Sequence, residues 1–104
     1  MLEERGFVIL WRNLHLGHLE IDIVARKDDL CVMVEVRMRG PGAFEGPLAS
    51  IASKKKMRIL HAADRLWRRH LSKMDGVRMR IDVAGVTLVS GEAQIDYIPG
   101  AITK

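Results

Sequence analysis

The chain has 104 residues, enough for one hydrophobic core, and its 48% apolar and 29% charged residues exclude fibrous and low-complexity classes. No apolar run approaches the ~20 residues of a membrane span, no signal peptide is recognisable, and a single cysteine allows no internal disulfide. We therefore expect one cytoplasmic domain over residues 1–104, without membrane contact. The net charge of +4 hides an uneven distribution, because residues 37–80 hold twelve of the 17 bases and three of the 13 acids.

The first third of the chain predicts short strands joined by turns. Residues 2–5 are typical of a helix end, with Gly6 as its cap. Runs rich in β-branched and aromatic residues then predict three strands. They lie at 7–12, 20–25 and 30–37, with turns at 13–18 and 27–29. Three strands with short turns form an antiparallel meander.

A loop rich in Gly and Pro, Gly40–Pro47, separates the strands from a helix that begins at Ser50 or Ser53 and ends near Met74. Apolar residues of this helix recur every three or four positions. They are Leu60, Ala63, Trp67, Leu71 and Met74. These residues predict the face that packs on the sheet.

Residues 77–89 predict a fourth strand and residues 93–98 a short fifth strand at the edge, followed by a frayed tail after Pro99. A strand, a helix and another strand form a crossover, which usually makes the fourth strand parallel to the third. The predicted fold class is therefore α/β, with a mixed sheet made of the antiparallel meander, the crossover helix, the parallel fourth strand and the edge strand.

Charged side chains lie inside the second and third strands, where each is costly to bury without a partner. Because strand side chains alternate, Glu20 and Asp22 share one face, and so do Glu35 and Arg37. A turn centred on residues 28–29 places Asp22 opposite Glu35 and Glu20 opposite Arg37. Cross-strand Cβ atoms lie ~5 Å apart, so the two carboxylates repel each other unless a cation lies between them.

Two interpretations of this cluster follow from spacing alone. In the first, Asp22 and Glu35 bind a divalent ion such as Mg²⁺, with the backbone carbonyl of Val36 as a further oxygen ligand. In the second, Arg37 neutralises Glu20 and Glu35 in an ion-pair network without a metal, because structural networks produce similar clusters.

Several segments in this order resemble the YraN-like family of small bacterial proteins. The similarity begins with Gly-Phe-Val-Ile-Leu-Trp-Arg-Asn at 6–13 and continues with Glu-Ile-Asp-Ile-Val-Ala at 20–25 and Val-Glu-Val-Arg-Met-Arg at 34–39. It extends to Phe-Glu-Gly-Pro at 44–47, Lys55 near the head of the helix, and Arg-Ile-Asp-Val at 80–83. The resemblance covers nearly the whole chain.

The resemblance implies the restriction-endonuclease-like fold of PD-(D/E)xK nucleases and metal-assisted hydrolysis of phosphodiesters with Mg²⁺ or Mn²⁺. It implies that Asp22 is the metal-binding aspartate, that Glu35 is the motif acid and that Glu20 is a third acid near the metal. It also leaves open a homodimer, since nucleases of this fold often act as dimers.

The chain departs from the family pattern at three places. Arg37 replaces the motif lysine, and an arginine clamps phosphate but cannot lose its proton to act as a base. The helix that usually begins the family is shortened to its last residues, and Leu19 replaces the glycine before the first acid.

We therefore predict an endonuclease-like protein that binds nucleic acid, with Asp22, Glu35 and Arg37 at the reacting phosphate. DNA is the expected partner. A basic stripe beside acids favours a polyanion, although a charge run by itself is more often a solvated helix face. The bases expected to contact nucleic acid are Arg39, Lys54, Lys55, Lys56, Arg58, Arg65 and Arg69.

Two alternatives remain, a catalytically silent module that binds nucleic acid and a noncatalytic interaction protein. The Arg37 substitution favours the silent module over the enzyme. Asp82, in the middle of the fourth strand, is expected to buttress the sheet or pair with a base, not to take part in catalysis.

Overall fold

Five strands form one sheet in which each strand lies beside its sequence neighbours. The computed structural model describes residues 2–39 and 53–103. The strands are β1 (Val8–Leu16), β2 (Leu19–Lys27), β3 (Leu30–Arg39), β4 (Arg78–Val89) and β5 (Glu92–Ile102). One helix, α1 (Ser53–Arg69), connects β3 to β4, and short 3-10 turns lie at Glu3–Arg5 and Leu71–Lys73.

The sheet has the mixed topology that the sequence predicts. β1, β2 and β3 form an antiparallel meander, β4 runs parallel to β3 after the crossover, and β5 returns antiparallel to β4. Over residues 2–39 and 53–103 the chain is thus an α/β protein with an open five-stranded sheet and one α-helix. None of the helices in the described part is long and apolar enough to cross a membrane.

Two predicted boundaries in the sheet are wrong. β1 continues to Leu16, through the predicted turn, because Asn13 takes a left-handed conformation (φ 51°) while the pairing with β2 continues on both sides of it. β5 has 11 residues and contains Pro99, so it is not short and no frayed tail begins there. Proline is tolerated at this position because β5 is an edge strand.

The helix differs from its prediction at its end and in its buried face. It begins at Ser53 and ends at Arg69 instead of Met74, because His70 leaves the helical conformation (φ −124°) and a 3-10 turn follows. Small and branched residues face the sheet, whereas Trp67 is 37% exposed. The buried residues are Ile59, Ala62, Ala63 and Leu66. Of the predicted face, Ala63 and Leu71 are buried and Leu60 and Met74 pack against the core, so the prediction is wrong only at Trp67.

A buried carboxylate ties β5 to β4. Asp82 is fully buried and accepts two hydrogen bonds from the Arg80 guanidinium, at 2.8 and 2.9 Å. The Tyr97 hydroxyl and the Gly100 backbone N–H also donate to it, the latter at 2.8 Å. Burial and this hydrogen bond raise the pKa of Tyr97, so its hydroxyl stays protonated and keeps donating. The predicted pairing of Asp82 with a base is confirmed.

We expect Asp82→Ala to lower the free energy of unfolding by about 3–5 kcal/mol, because the substitution leaves the Arg80 charge and the other donors without their buried acceptor. Urea unfolding followed by circular dichroism measures the loss. Asp29→Ala is the matched control, because the Asp29–Arg78 ion pair is exposed and its removal should barely change stability. Equal losses in the two variants would contradict the role of Asp82.

Candidate functional site

The functional residues predicted from the sequence gather where β2 and β3 separate. The ladder between these strands runs from Lys27–Leu30 to Ile23–Val34, in the register that the sequence predicts. Asp22 and Glu35 are the next residues on the two strands. Beyond them, β2 continues against β1 and β3 continues against β4. The ladder ends before it reaches Glu20 and Arg37, so these two residues are not paired across the strands as predicted.

The alternation of side chains along β2 is interrupted at Asp22. Ile21 and Val24 both pack in the hydrophobic cluster beneath α1, although three residues apart in a regular strand they would lie on opposite faces. Asn13, with its positive φ, lies between the pairs that β1 makes on either side of Asp22. The irregularity therefore spans both strands at the level of the candidate acid.

The Asp22 carboxylate substitutes for a missing backbone partner. The backbone N–H of Val36 donates a hydrogen bond of 2.8 Å to Asp22 Oδ2. Val36 is the first residue after Glu35, so this bond fixes the aspartate directly beside the glutamate. A carboxylate that accepts one N–H bond keeps further lone pairs with which it can bind a cation.

Glu35 is enclosed and has a lysine beside it. Its side chain is 14% exposed, and Lys55 Nζ from the first turns of α1 lies 3.3 Å from Glu35 Oε1. Burial and then repulsion from Asp22 raise the pKa of Glu35, against the opposing effects of Lys55 and Arg37. The carboxylate is thus held at a site where its charge is not fully compensated.

These side chains border one open cleft with a volume of about 280 Å³. At ~30 Å³ per water, the cleft has room for a hydrated ion and a phosphate group. Its polar lining comprises His18, Glu20, Asp22, Glu35, Lys55 and Arg58. Arg37 is not among the residues that line it, although it lies near enough to lower the pKa of Glu35.

The donor set fits a hard divalent ion that retains several of its waters. Within residues 2–39 and 53–103, no three His, Cys, Asp or Glu side chains form a ready-made metal cage. Glu20 therefore borders the cleft without completing a three-carboxylate cluster. One or two carboxylates, with waters and a substrate phosphate, are the usual surroundings of Mg²⁺. Asp22 and Glu35 match that chemistry better than they match a closed zinc site.

The helix bases predicted to contact nucleic acid divide into two groups. At 100° per residue, five of them lie on the flank of α1 that meets the cleft. They are Lys54, Lys55, Arg58, Arg65 and Arg69. Lys56 lies on the opposite flank. A second cavity lined by Arg58 and Arg65 shares His18 with the first, so the basic flank continues the cleft along the helix.

Two predicted elements lie outside the described part of the chain. Arg39 ends β3, but its side chain is not described. The loop Gly40–Pro47 also falls outside residues 2–39 and 53–103.

Comparison with known proteins assigns the chain to a family. The Uncharacterised protein family UPF0102 matches residues 1–86. The chain belongs to the UPF0102 family. It is 45% identical to a UPF0102 protein of Sorangium cellulosum over 102 residues, which cover 96% of this chain and 71% of that protein. It is 38% identical to one of Bacteroides thetaiotaomicron over 100 residues, covering 96% and 80% of the two chains.

A more distant UPF0102 protein, from Clostridium perfringens, is 30% identical over 102 residues that cover 96% of this chain and 82% of that protein. UPF0102 is the YraN-like family of bacterial proteins that the sequence motifs predict, so that prediction is confirmed.

The sequence analysis of this UPF0102 chain assigned Lys55 to the basic stripe and matched it to the family's lysine near the head of the helix, but missed its place beside Glu35. The crossover from β3 through α1 places the helix against the sheet but does not determine which of its lysines meets Glu35. His18 is close to Glu20 and Asp22 in the sequence, and it borders the same cleft from the two-residue turn between β1 and β2.

We expect Glu35→Gln to increase the free energy of unfolding at pH 8. The raised pKa of Glu35 means that its proton is bound more tightly in the folded state, so its contribution to stability is fully present below the unfolded pKa and is lost as pH rises through the folded pKa. The advantage of the glutamine variant should therefore disappear toward pH 4. Urea unfolding of both proteins at several pH values measures the difference in the free energy of unfolding. A difference that does not change with pH would contradict a raised pKa of Glu35.

Proposed function

We propose that this protein hydrolyses phosphodiester bonds of nucleic acid with a divalent metal bound at Asp22 and Glu35. The observation that carries the proposal is the contact of 3.3 Å between Lys55 Nζ and Glu35 Oε1, in a cleft that Asp22 also lines. Two acids can hold the metal that activates water and stabilises charge on the phosphate, and the amine beside them can donate hydrogen bonds to a phosphate oxygen.

The topology supports the same proposal. A three-stranded antiparallel meander, a crossover helix and a parallel fourth strand are what the resemblance to PD-(D/E)xK nucleases implies. We infer a restriction-endonuclease-like fold on this basis. The separation of β2 and β3 opens the sheet at the two acids, where a substrate backbone needs access.

Each residue of the cleft has a role in the proposed reaction. The carboxylates of Asp22 and Glu35 would hold Mg²⁺ or Mn²⁺, and the hydrogen bond from Val36 keeps Asp22 oriented for it. When bound, such an ion lowers the pKa of a water molecule and stabilises the negative charge that develops on the phosphate. Glu20 borders the same cleft and can accept a hydrogen bond from a metal-bound water.

Lys55 offers a replacement for the motif lysine that Arg37 displaces. Its amine reaches Glu35 from α1 instead of from β3, and it can donate hydrogen bonds to an attacking water or to a phosphate oxygen. Arg37 remains charged near Glu35 and is suited to clamp a phosphate oxygen. The loss of lysine at position 37 therefore does not remove the amine from the site.

The basic flank of α1 supports nucleic acid as the substrate class. Arg58 belongs to both cavities and Arg65 to the second, so positive charge continues away from the acids along the helix. A phosphate chain laid on this flank would release counterions from each contact. The alternative is a silent module that binds nucleic acid without cutting it, and the arginine at position 37 is the feature that favours it.

We expect the purified protein to cleave at least one member of a panel of duplex, single-stranded and branched DNA and RNA in Mg²⁺ or Mn²⁺. Asp22→Asn should abolish cleavage, because the amide keeps the shape of the side chain and loses its charge. Lys55→Met should lower the rate by roughly 10²-fold or more, as expected for a group that assists proton transfer. Gel separation of end-labelled substrates gives the rates.

Lys56→Met is the matched control, since it removes the neighbouring positive charge from the other flank of α1 and should leave the rate unchanged. Cleavage that survives Asp22→Asn would contradict the proposed site. Cleavage that appears only in Arg37→Lys would show that the arginine silenced the enzyme. A rise in melting temperature with Mn²⁺, absent from Asp22→Asn, tests metal binding without relying on activity.

We expect Arg58→Gln and Arg65→Gln to weaken binding of a labelled oligonucleotide in EDTA. Each should also reduce the slope of log affinity against log salt by about 0.7–0.9, the value for one lost phosphate contact. Fluorescence anisotropy between about 50 and about 200 mM NaCl measures both quantities. Lys56→Gln should change neither. If all three variants bind alike, the basic flank is only a solvated surface.

A further inference from the structure

The outer strands of the sheet differ in how well they are protected against pairing. β1 has a bulge between Ile9 and Trp11 and a left-handed residue at Asn13, and such irregularities prevent another strand from pairing with an edge. β5 has a register shift only beyond Ile98, around Pro99, and pairs with β4 residue for residue from Glu92 to Ile98. Over these seven residues its outer edge is therefore a regular row of backbone donors and acceptors.

The hairpin fixes which residues of β5 face outward. Ser90 and Gly91 form a two-residue turn with positive φ at both positions, 51° and 81°. Such a turn is closed by a pair that exchanges both backbone hydrogen bonds, here Val89 and Glu92, and pairs alternate from there. Odd-numbered residues of β5 thus direct N–H and C=O away from β4. They are Ala93, Ile95 and Tyr97.

An apolar row leads across the sheet to this edge. Met38 pairs with Val86, and Val86 pairs with Ile95, so the three side chains lie side by side on one face. Met38 is 67% and Ile95 is 49% exposed, and Leu88 beside them is 50% exposed. Exposed apolar side chains in a continuous row mark an interaction surface better than scattered ones do.

We propose that β5 is a self-association edge, at which two copies of the chain pair antiparallel with Ile95 on the twofold axis. The two β5 strands would then exchange about six backbone hydrogen bonds through Ala93, Ile95 and Tyr97. The apolar row would continue through Ile95 of both copies to Val86 and Met38 of each. This proposal does not depend on the proposed nuclease activity.

Charge favours this register over the two registers beside it. β5 contains Glu92 and Asp96 and no base. A shift of the register to one side places Glu92 opposite Asp96 of the other copy, and a shift to the other side places Asp96 opposite itself, both of which are repulsive. Centring on Ile95 instead places Asp96 opposite Gln94, which can donate a hydrogen bond to it. Of the registers centred on residues 94, 95 and 96, only the one centred on Ile95 is therefore free of opposed acids.

Hydrogen bonds to the buried Asp82 order β5 before it meets a partner. Tyr97 and Gly100 are both held by the buried carboxylate, so the strand is fixed along its second half before a partner arrives. A strand ordered in advance loses less conformational entropy on association.

Sedimentation velocity across a concentration series tests the proposal. The wild-type chain should sediment with twice its mass of 11.7 kDa at high concentration. Ile95→Lys and Ile95→Glu should each be monomeric, because like charges meet on the axis, and an equimolar mixture of the two should form a heterodimer. Val8→Lys, a substitution of an exposed residue on the β1 edge, should dimerise as the wild type does.

A cysteine pair tests the register. Residues of a hydrogen-bonded antiparallel pair have Cα atoms ~5.5 Å apart, within the range that a disulfide spans. Ile95→Cys should therefore cross-link to a covalent dimer on oxidation, whereas Gln94→Cys should not. Cys31 is fully buried and serves as an internal control. A dimer that survives Ile95→Lys overturns the proposal. A monomeric wild type also overturns it, and this is the result expected if β5 pairs instead with a basic strand of another protein.

Discussion

The hydrogen bond between the Val36 N–H and the Asp22 carboxylate is the interaction on which the candidate site depends. A sheet that parts between two strands exposes backbone groups, and an unpaired buried N–H is costly. Here the Asp22 carboxylate accepts the hydrogen bond that a backbone carbonyl of β2 would otherwise accept, so the separation of β2 from β3 leaves the Val36 N–H paired. The same bond holds one acid beside Glu35 at the point where the sheet opens.

The charges around Glu35 do not balance one another. Glu35 is enclosed next to another carboxylate, and its raised pKa shows that Lys55 and Arg37 do not fully offset burial and repulsion. A divalent ion would relieve this repulsion, which is a physical reason for such a pair of acids to attract one. By contrast, the buried Asp82 has a bidentate arginine and two further donors. The two carboxylate sites thus differ in how completely their charge is satisfied.

The sequence predicted much of the fold because its signals there are local. The five strands, the crossover and the register of β2 against β3 follow from alternation, turn chemistry and chain connectivity. The end of α1 and the extent of β5 could not be predicted, because they depend on tertiary contacts. His70 leaves the helical conformation, and Gly100 is held by a buried aspartate eighteen positions away. Judged from the sequence alone, Pro99 indicates the end of a strand and not its continuation.

The acids of the candidate site were predictable from their cost inside strands, but the position of the amine was not. Alternation relates residues on neighbouring strands, whereas Lys55 approaches Glu35 from a different element. The contact therefore has no characteristic spacing in the sequence. A search pattern that requires an acid, any residue and then a lysine rejects this chain at Arg37. A search by the distance between a lysine amine and a strand carboxylate retains it, because Lys55 Nζ lies 3.3 Å from Glu35 Oε1 whatever residue occupies position 37.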